Sequence, residues 1–169
     1  MLIFSCIFEK KRFEGFEVRE YEPQLWASYE TRHEGFYPSG NSGFRKLFKY
    51  ITGENHKKEK MSMTVPVMCD FDERQSSFKM SFYVPTKFQE RSSPPSAPSD
   101  EQVFIESKGT TVAVLPFAGR VSDDTLKSNL SKLKNLLDQN GLHYDEKNYT
   151  VAVYHAPFRI WFRFAFIFH

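Results

Sequence analysis

Apolar and polar positions first alternate with period two. In "FEGFEVREYE" Phe16, Val18 and Glu20 share one face, with Glu17 and Arg19 on the other. That spacing predicts a strand, and "LWASYETR" after Pro23 predicts its hairpin partner. A turn-rich stretch, "GFYPSGNSG", comes next. The period then changes to that of a helix. Phe44, Leu47, Phe48 and Ile51 form one apolar stripe, Arg45, Lys46 and Lys49 take the remaining positions, and Gly53 supplies the C-cap. Two more strands follow a charged loop, "MTVPVMCDF" and "FKMSFYVP", the first placed at an edge or a bulge by Pro66.

The order then repeats. "RSSPPSAPSD" (91–100) reads as a linker or surface loop with nothing to bury. Beyond it, "QVFIES" and "TTVAVLPF" predict a second hairpin. A second helix starts with Ser122 as N-cap and Asp123 and Asp124 in the first turn, where carboxylates favour the helix dipole. Leu126, Leu130, Leu133 and Leu137 form its stripe, Asn140-Gly141 its end, and "YTVAVYH" and "FRIWFRFAF" the last strands. Two ββαββ halves predict an α+β fold in which an antiparallel sheet curls around two helices. We divide the chain into an N-terminal extension, 1–12, and a single domain, 13–169, with halves at about 13–90 and 101–169.

Composition narrows the function classes. A length of 169 residues suits one domain with a real core. The outlying number is 18 phenylalanines, enough to fill that core and leave rings to line a groove. A net charge of +2 gives no sign of a nucleic-acid binder, and the run Lys57, Lys58, Glu59, Lys60 reads as a solvated loop. Cys6 and Cys69 have neither CxxC nor metal-ligand spacing; reduced thiols point to the cytoplasm. The start, "MLIFSCIFEKKR", makes a poor signal peptide and is too short to span a bilayer. Sequons stand at Asn129, inside the second predicted helix, and at Asn148.

No catalytic residue can be named. GxSxG, HExxH and phosphate-cradling glycine loops are absent from the sequence, and His33, His56, His143, His155 and His169 fall in predicted loops or at segment ends. We expect no enzyme and no metal site. The informative stretch is "KEKMSMTVPVMCDF", which holds three of the five methionines. If extended, Met61, Met63 and Val65 share one face and Ser62 and Thr64 the other. Spacing alone favours a core strand. The other reading is a pocket wall, because thioethers re-pack around flat ligands, with Phe44, Leu47 and Phe48 as the opposing wall.

Four ordered blocks, "EVREYEPQLWAS", "FRKLFKYITGEN", "EKMSMTVPV" and "YHAPFR", together resemble the SOUL heme-binding protein family. The likeness runs from about Phe16 to Arg159, and the helix followed by Met-Thr-Val-Pro-Val is its most specific mark. It implies a distorted antiparallel β-barrel with two helices, built from two similar halves. It also implies heme or a metal-free porphyrin as ligand, in a shallow apolar groove beside the first helix. Met61, Met63 and Val65 carry over as groove residues, with Phe44, Leu47 and Phe48 from the helix. Some relatives are tied instead to mitochondrial permeability and cell death, which implies a death-pathway protein partner at the second helix. "LKNLLDQNG" would supply Leu133, Leu136, Leu137 and Asp138.

The chain departs from the family pattern twice. Glu20 stands where some members have a histidine proposed as iron ligand. The end, "IWFRFAFIFH", is apolar on both faces apart from Arg163, where the family has a polar connector and a Glu-Val-Trp-type strand. From the sequence, this end is a fully buried strand or an aberrant terminus whose phenylalanine row would promote edge aggregation.

Overall fold

Two strands of sixteen residues, β3 (Glu17–Arg32) and β7 (Val103–Ala118), form the spine of the computed structural model. Around them the chain runs β1 (Leu2–Ile3), β2 (Ile7–Arg12), β3, α1 (Phe36–Ile51), β4 (Thr64–Val65), β5 (Val67–Asp72), β6 (Ser77–Tyr83), a 3-10 turn (Thr86–Phe88), β7, α2 (Asp123–Gln139), β8 (Asn148–Val153) and β9 (Arg163–Phe168). The structure describes all residues except 1, 4–6, 33–35, 91–94, 119–121, 155–162 and 169. At 2–3, 7–9, 36–41, 118, 123 and 163–168 it describes the backbone alone.

The main sheet has the order β2-β3-β6-β5-β8-β9-β7, and a further antiparallel pairing of β3 with β7 closes it. The result is the expected α+β class: a distorted antiparallel barrel with two helices, in two similar halves. Each half differs from ββαββ in one respect. The two hairpins expected at Phe16–Arg32 and Val103–Phe117 are single long strands. At Glu22–Pro23 the chain makes a bulge, not a reversal, and the register with β7 shifts there between Tyr21 and Gln24. Gly109 faces the bulge: a Cβ on it would stand 2.4 Å from the Pro23 nitrogen, so no larger residue fits.

Alternation along the strands sorts two faces. Ala27, Tyr29, Cys69, Phe71, Phe78, Met80, Phe82, Val103 and Val151 join Leu47, Tyr50 and Ile51 of α1 and Leu126, Leu133 and Leu137 of α2 in one buried cluster. α1 begins at Phe36, well before the expected start, and takes in the whole turn-rich stretch. Pro38 falls in the first turn, where backbone N–H groups have no intrahelical acceptor to lose. Gly43 lets the helix lie close on the sheet, since a Cβ there would meet Tyr29 at 3.1 Å and Met80 at 3.3 Å. α2 starts as expected: Ser122 Oγ accepts from the Thr125 N–H, and the Thr125 hydroxyl accepts from the Ser122 N–H. It ends at Asn140, followed by Gly141 at φ 64°.

The opposite face of the sheet is polar at its centre. Buried Ser28 and Ser81 share a hydrogen bond, and Ser28 donates to Glu106, which also pairs with Lys79 at 3.1 Å. Lys108 donates to Asp70 across from the buried Thr150, whose hydroxyl donates to the same carboxylate. Asp70, Lys79, Lys108 and Thr150 border a cleft of about 260 Å³ that also includes Glu30, Asp72 and Asn148. Burial by itself pushes the Asp70 carboxyl up, but Lys108, Thr150 and Lys79 outweigh it and hold it below its ordinary 3.8. A depressed carboxyl contributes stability that is present above its unfolded pKa and is lost as pH falls through the folded value. Asp70→Asn should therefore cost on the order of 3 kcal/mol at neutral pH, by leaving Lys108 buried without its counter-ion, and flatten the stability loss below about pH 4. Urea melts of both proteins from pH 7 to pH 3 check this; parallel pH profiles would show that Asp70 is not the titrating group.

The C-terminal strand lies inside the sheet. β9 pairs with β7 from Ala113–Phe168 to Ala118–Arg163 and with β8 from Tyr149–Phe168 to Val153–Phe164. It has a ladder on both sides, so it offers no edge to a second chain, and apolar residues on both faces suit a strand held in mid-sheet. Removing it would leave β7 and β8 with open edges. A chain truncated after residue 162 should elute as larger species or aggregate on size exclusion. Elution matching the full chain would mean that β9 does not close the barrel.

Candidate functional site

α1 presents its apolar stripe at two depths. Leu47 is fully buried against the sheet. Phe44, half-buried, stands edge-on to Phe82 with centroids 5.5 Å apart, and stacks on Phe48 at 5.7 Å with planes 13° apart. Phe48, in the last turn of α1, is 44% exposed. On the solvent side Arg45 and Lys49 are exposed, and Lys49 pairs with Glu54 at 3.4 Å. Lys46 is bound to Asp100 and lies over the Tyr29 ring.

The methionine segment meets the same part of the molecule. The Met61 N–H donates to the carbonyl of Ile51, in the last turn of α1, at 2.8 Å. This sets the segment one helical turn from Phe48. Residues 61–63 lie outside any strand. Pro66, lacking an N–H, separates β4 from β5, and β4 pairs in parallel with β1 rather than continuing the main sheet. The expected two-faced alternation holds in part. Met61 and Val65 are buried, Met63 is half-buried and Ser62 exposed, but Thr64 is buried too, because its hydroxyl donates to the Tyr83 carbonyl at 2.7 Å. Met61 and Leu47 belong to the core, and Phe44 and Met63 pack onto it from outside. Of the six residues singled out in the sequence, Phe44, Phe48 and Met63 are partly or well exposed, and Leu47, Met61 and Val65 are buried.

A clamp that the sequence did not disclose holds this arrangement. The 57–60 run reads as solvated charge, and 91–100 as a linker or surface loop with nothing to bury, yet residues 95–100 are strapped across the end of α1 and Ser96 is fully buried. The Tyr50 hydroxyl donates to the Ser96 carbonyl at 2.8 Å, Lys57 N–H donates to Ser96 Oγ at 2.9 Å, and His56 N–H donates to the Ala97 carbonyl at 3.0 Å. Asn55, 3% exposed, donates to the carbonyls of Tyr50 and Glu59 and accepts from the Glu59 N–H. Burial, then Glu59, pushes the Tyr50 hydroxyl up to about 12, so it remains a neutral donor at physiological pH. The available signal was an Asn two residues after a C-cap glycine, a residue type that bonds neighbouring backbone.

Other expected residues lie elsewhere. Glu20 is exposed between Glu9 of β2 and Thr111 of β7, nine positions along β3 from Tyr29, which packs under α1. At about 3.3 Å per residue, that is roughly 30 Å of strand. His56 and His143 are exposed; His33, His155 and His169 lie outside the described residues. Leu133 and Leu137 of α2 are buried in the core, Leu136 lies against Gly15, and Asp138 accepts from the Tyr144 hydroxyl at 3.1 Å. Among the described residues no three His, Cys, Asp or Glu side chains gather to hold a metal ion, and no helix is long and apolar enough to cross a membrane. Cys69 is buried and free.

Comparison with known proteins adds sequence and fold relatives. Human heme-binding protein 2 is 32% identical over 152 residues, covering 86% of this chain and 73% of that protein. Mouse heme-binding protein 1 is 30% identical over 151 residues, covering 86% and 78%. Among solved structures, the EcmrR C-terminal domain matches with a TM-score of 0.64 at 10% identity, covering 89% of this chain and 93% of that one. A hydrolase from Listeria innocua matches with a TM-score of 0.63 at 9% identity, covering 95% and 93%. At such identities these two share the fold alone. The profile of the SOUL heme-binding proteins matches residues 4–165, nearly the whole length, and the chain belongs to that family.

Proposed function

We propose that this protein binds heme and related tetrapyrroles on the α1 side of the barrel, as a non-enzymatic carrier or buffer. The observation that carries the reading is the stacked Phe44–Phe48 pair, one ring half-buried and the other exposed, on the helix whose last turn holds the Met61–Met63 segment. A flat apolar macrocycle suits two aromatic faces and a thioether, which adapts to the ring edge. Exposed Arg45 and Lys49 flank the same helix and suit the carboxylates such rings carry. The names of the human and mouse relatives support the same ligand class. Leu47, Met61 and Val65 serve as the rigid floor. The chain's part is to shed water from one face of the ring and fix its plane, and the cytoplasm is the compartment we propose for it.

Partner binding through α2 has less to support it. Leu133 and Leu137 hold the core, so presenting them to a partner would require the helix to leave the sheet.

A one-sided seat burying about 300 Å² of apolar ring, at roughly 25 cal/mol/Å², supplies on the order of 7 kcal/mol before association costs. That places binding in the micromolar class at best. Phe48→Ser with Met63→Ser should weaken protoporphyrin binding about tenfold or more, with the melting temperature nearly unchanged because neither side chain is in the buried core. Titration by quenching of intrinsic fluorescence measures it; undiminished affinity would place the ligand elsewhere.

Iron contributes little to this mode of binding. Position 20 carries a carboxylate and lies nine positions along β3 from Tyr29, which packs under α1. Metal-free protoporphyrin should bind about as tightly as heme, within a factor of roughly three. A sharp low-spin heme spectrum abolished by mutating a single histidine would overturn this.

A further inference from the structure

We infer that Asn55 is a positioning residue of the tetrapyrrole site, acting through Glu59 on the Met61–Met63 segment and backed by the strap residue Ser96 and by Tyr50. The inference rests on the reading of Phe48 and Met63 as the contact surface. Asn55 lies outside that surface and is buried beneath the loop. Its two amide hydrogens go to the Tyr50 and Glu59 carbonyls, at 3.0 and 2.7 Å, and its oxygen accepts from the Glu59 N–H at 2.9 Å. One side chain thus ties the last turn of α1 to the residue two before Met61, and both donor sites and the acceptor are used.

The loop has no ladder or helix of its own between Gly53 and Met63 apart from one isolated bridge, Asn55 with Pro98. Without Asn55, the single bond from Met61 N–H to the Ile51 carbonyl would have to set the segment's distance from α1. The strap adds the second support. Ser96 is fully buried, and accepts from the Tyr50 hydroxyl through its carbonyl and from the Lys57 N–H through its hydroxyl, which ties the loop to α1 a second time. A shallow site gains affinity from such preorganisation, because its walls are set before the ring arrives. The consequence is that residues 95–100, which touch no ligand in this reading, tune its affinity.

The test measures protoporphyrin IX affinity and melting temperature together. Asn55→Ala should raise Kd about tenfold, and the milder Tyr50→Phe and Ser96→Ala about threefold each, while a control cavity in α2, Leu126→Ala, lowers the melting temperature with Kd unchanged. Equal Kd in all four variants, with Phe48→Ser plus Met63→Ser still weakening binding, would overturn the positioning role and leave the site intact. If the Phe48/Met63 variant binds like wild type, the site reading falls, and this inference with it. Tyr50→Phe and Ser96→Ala each remove one hydrogen bond without changing shape, so they decide the matter even if Asn55→Ala does not fold.

Discussion

The pairing of β3 with β7 is the constraint on which the rest of the structure depends. Each strand is sixteen residues long, and each belongs to a different half of the chain. Their antiparallel ladder runs from Glu17–Val114 to Tyr29–Val103, so it joins the halves over most of both strands. One end of β3 then recruits β6, and the far end of β7 recruits β9. The barrel closes where β5 meets β8. A ladder this long cannot stay flat, since neighbouring strands twist by about 20–25°. The bulge at Glu22–Pro23 increases the local twist in mid-ladder, and Gly109 lets the β7 backbone approach it.

Closure explains the contrast between the faces. The helix-bearing face can be uniformly apolar because α1 and α2 cover it. The other face has small buried residues, Ser28, Ser81, Thr150 and Ala152, where strands from opposite sides approach. Two ion pairs, Lys108–Asp70 and Lys79–Glu106, border them, and their hydroxyl partners complete the carboxylates' hydrogen bonding. Half-satisfied charges at this depth would cost several kcal/mol each, so the network works as a unit. Its saturation also leaves it little to offer a ligand.

Much of this was legible in the sequence where local physics is decisive. The leucine stripe and the Ser122 cap of α2 follow from helix period and capping chemistry, and both stand in the structure. Pro23 misled, because a proline between two alternating runs has the same local signature in a turn as in a bulge; the long-range partner Gly109 decides between them. The start of α1 misled in a similar way. Gly40 and Gly43 count against a helix by propensity, but at Gly43 the close sheet repays the cost. The phenylalanines of β9 read as a hazard because an apolar strand's safety depends on both neighbours, β7 and β8, which lie at different distances along the chain. For the proposed site, the family resemblance singled out Met61, Met63 and the α1 stripe, and spacing did not give their depth. Thr64 is buried by one hydrogen bond to Tyr83, nineteen residues on, which no alternation rule anticipates.

Depth decides what such a site can recognise. A closed pocket surrounds its ligand and can set an axial ligand on a metal from either side. A seat on the outer face of one helix touches a single face of a ring. Its selectivity therefore comes from flatness, area and the charge around the rim. The proposed seat would follow that logic: Phe44 and Phe48 stack with planes nearly parallel, and Met63 would add an adaptable edge. Leu47 and Met61 belong to the core cluster and cannot move outward without opening it, so the proposed seat would stay shallow. In the proposed reading, shallow seating would give fast release, which a carrier or buffer needs more than it needs a tight grip.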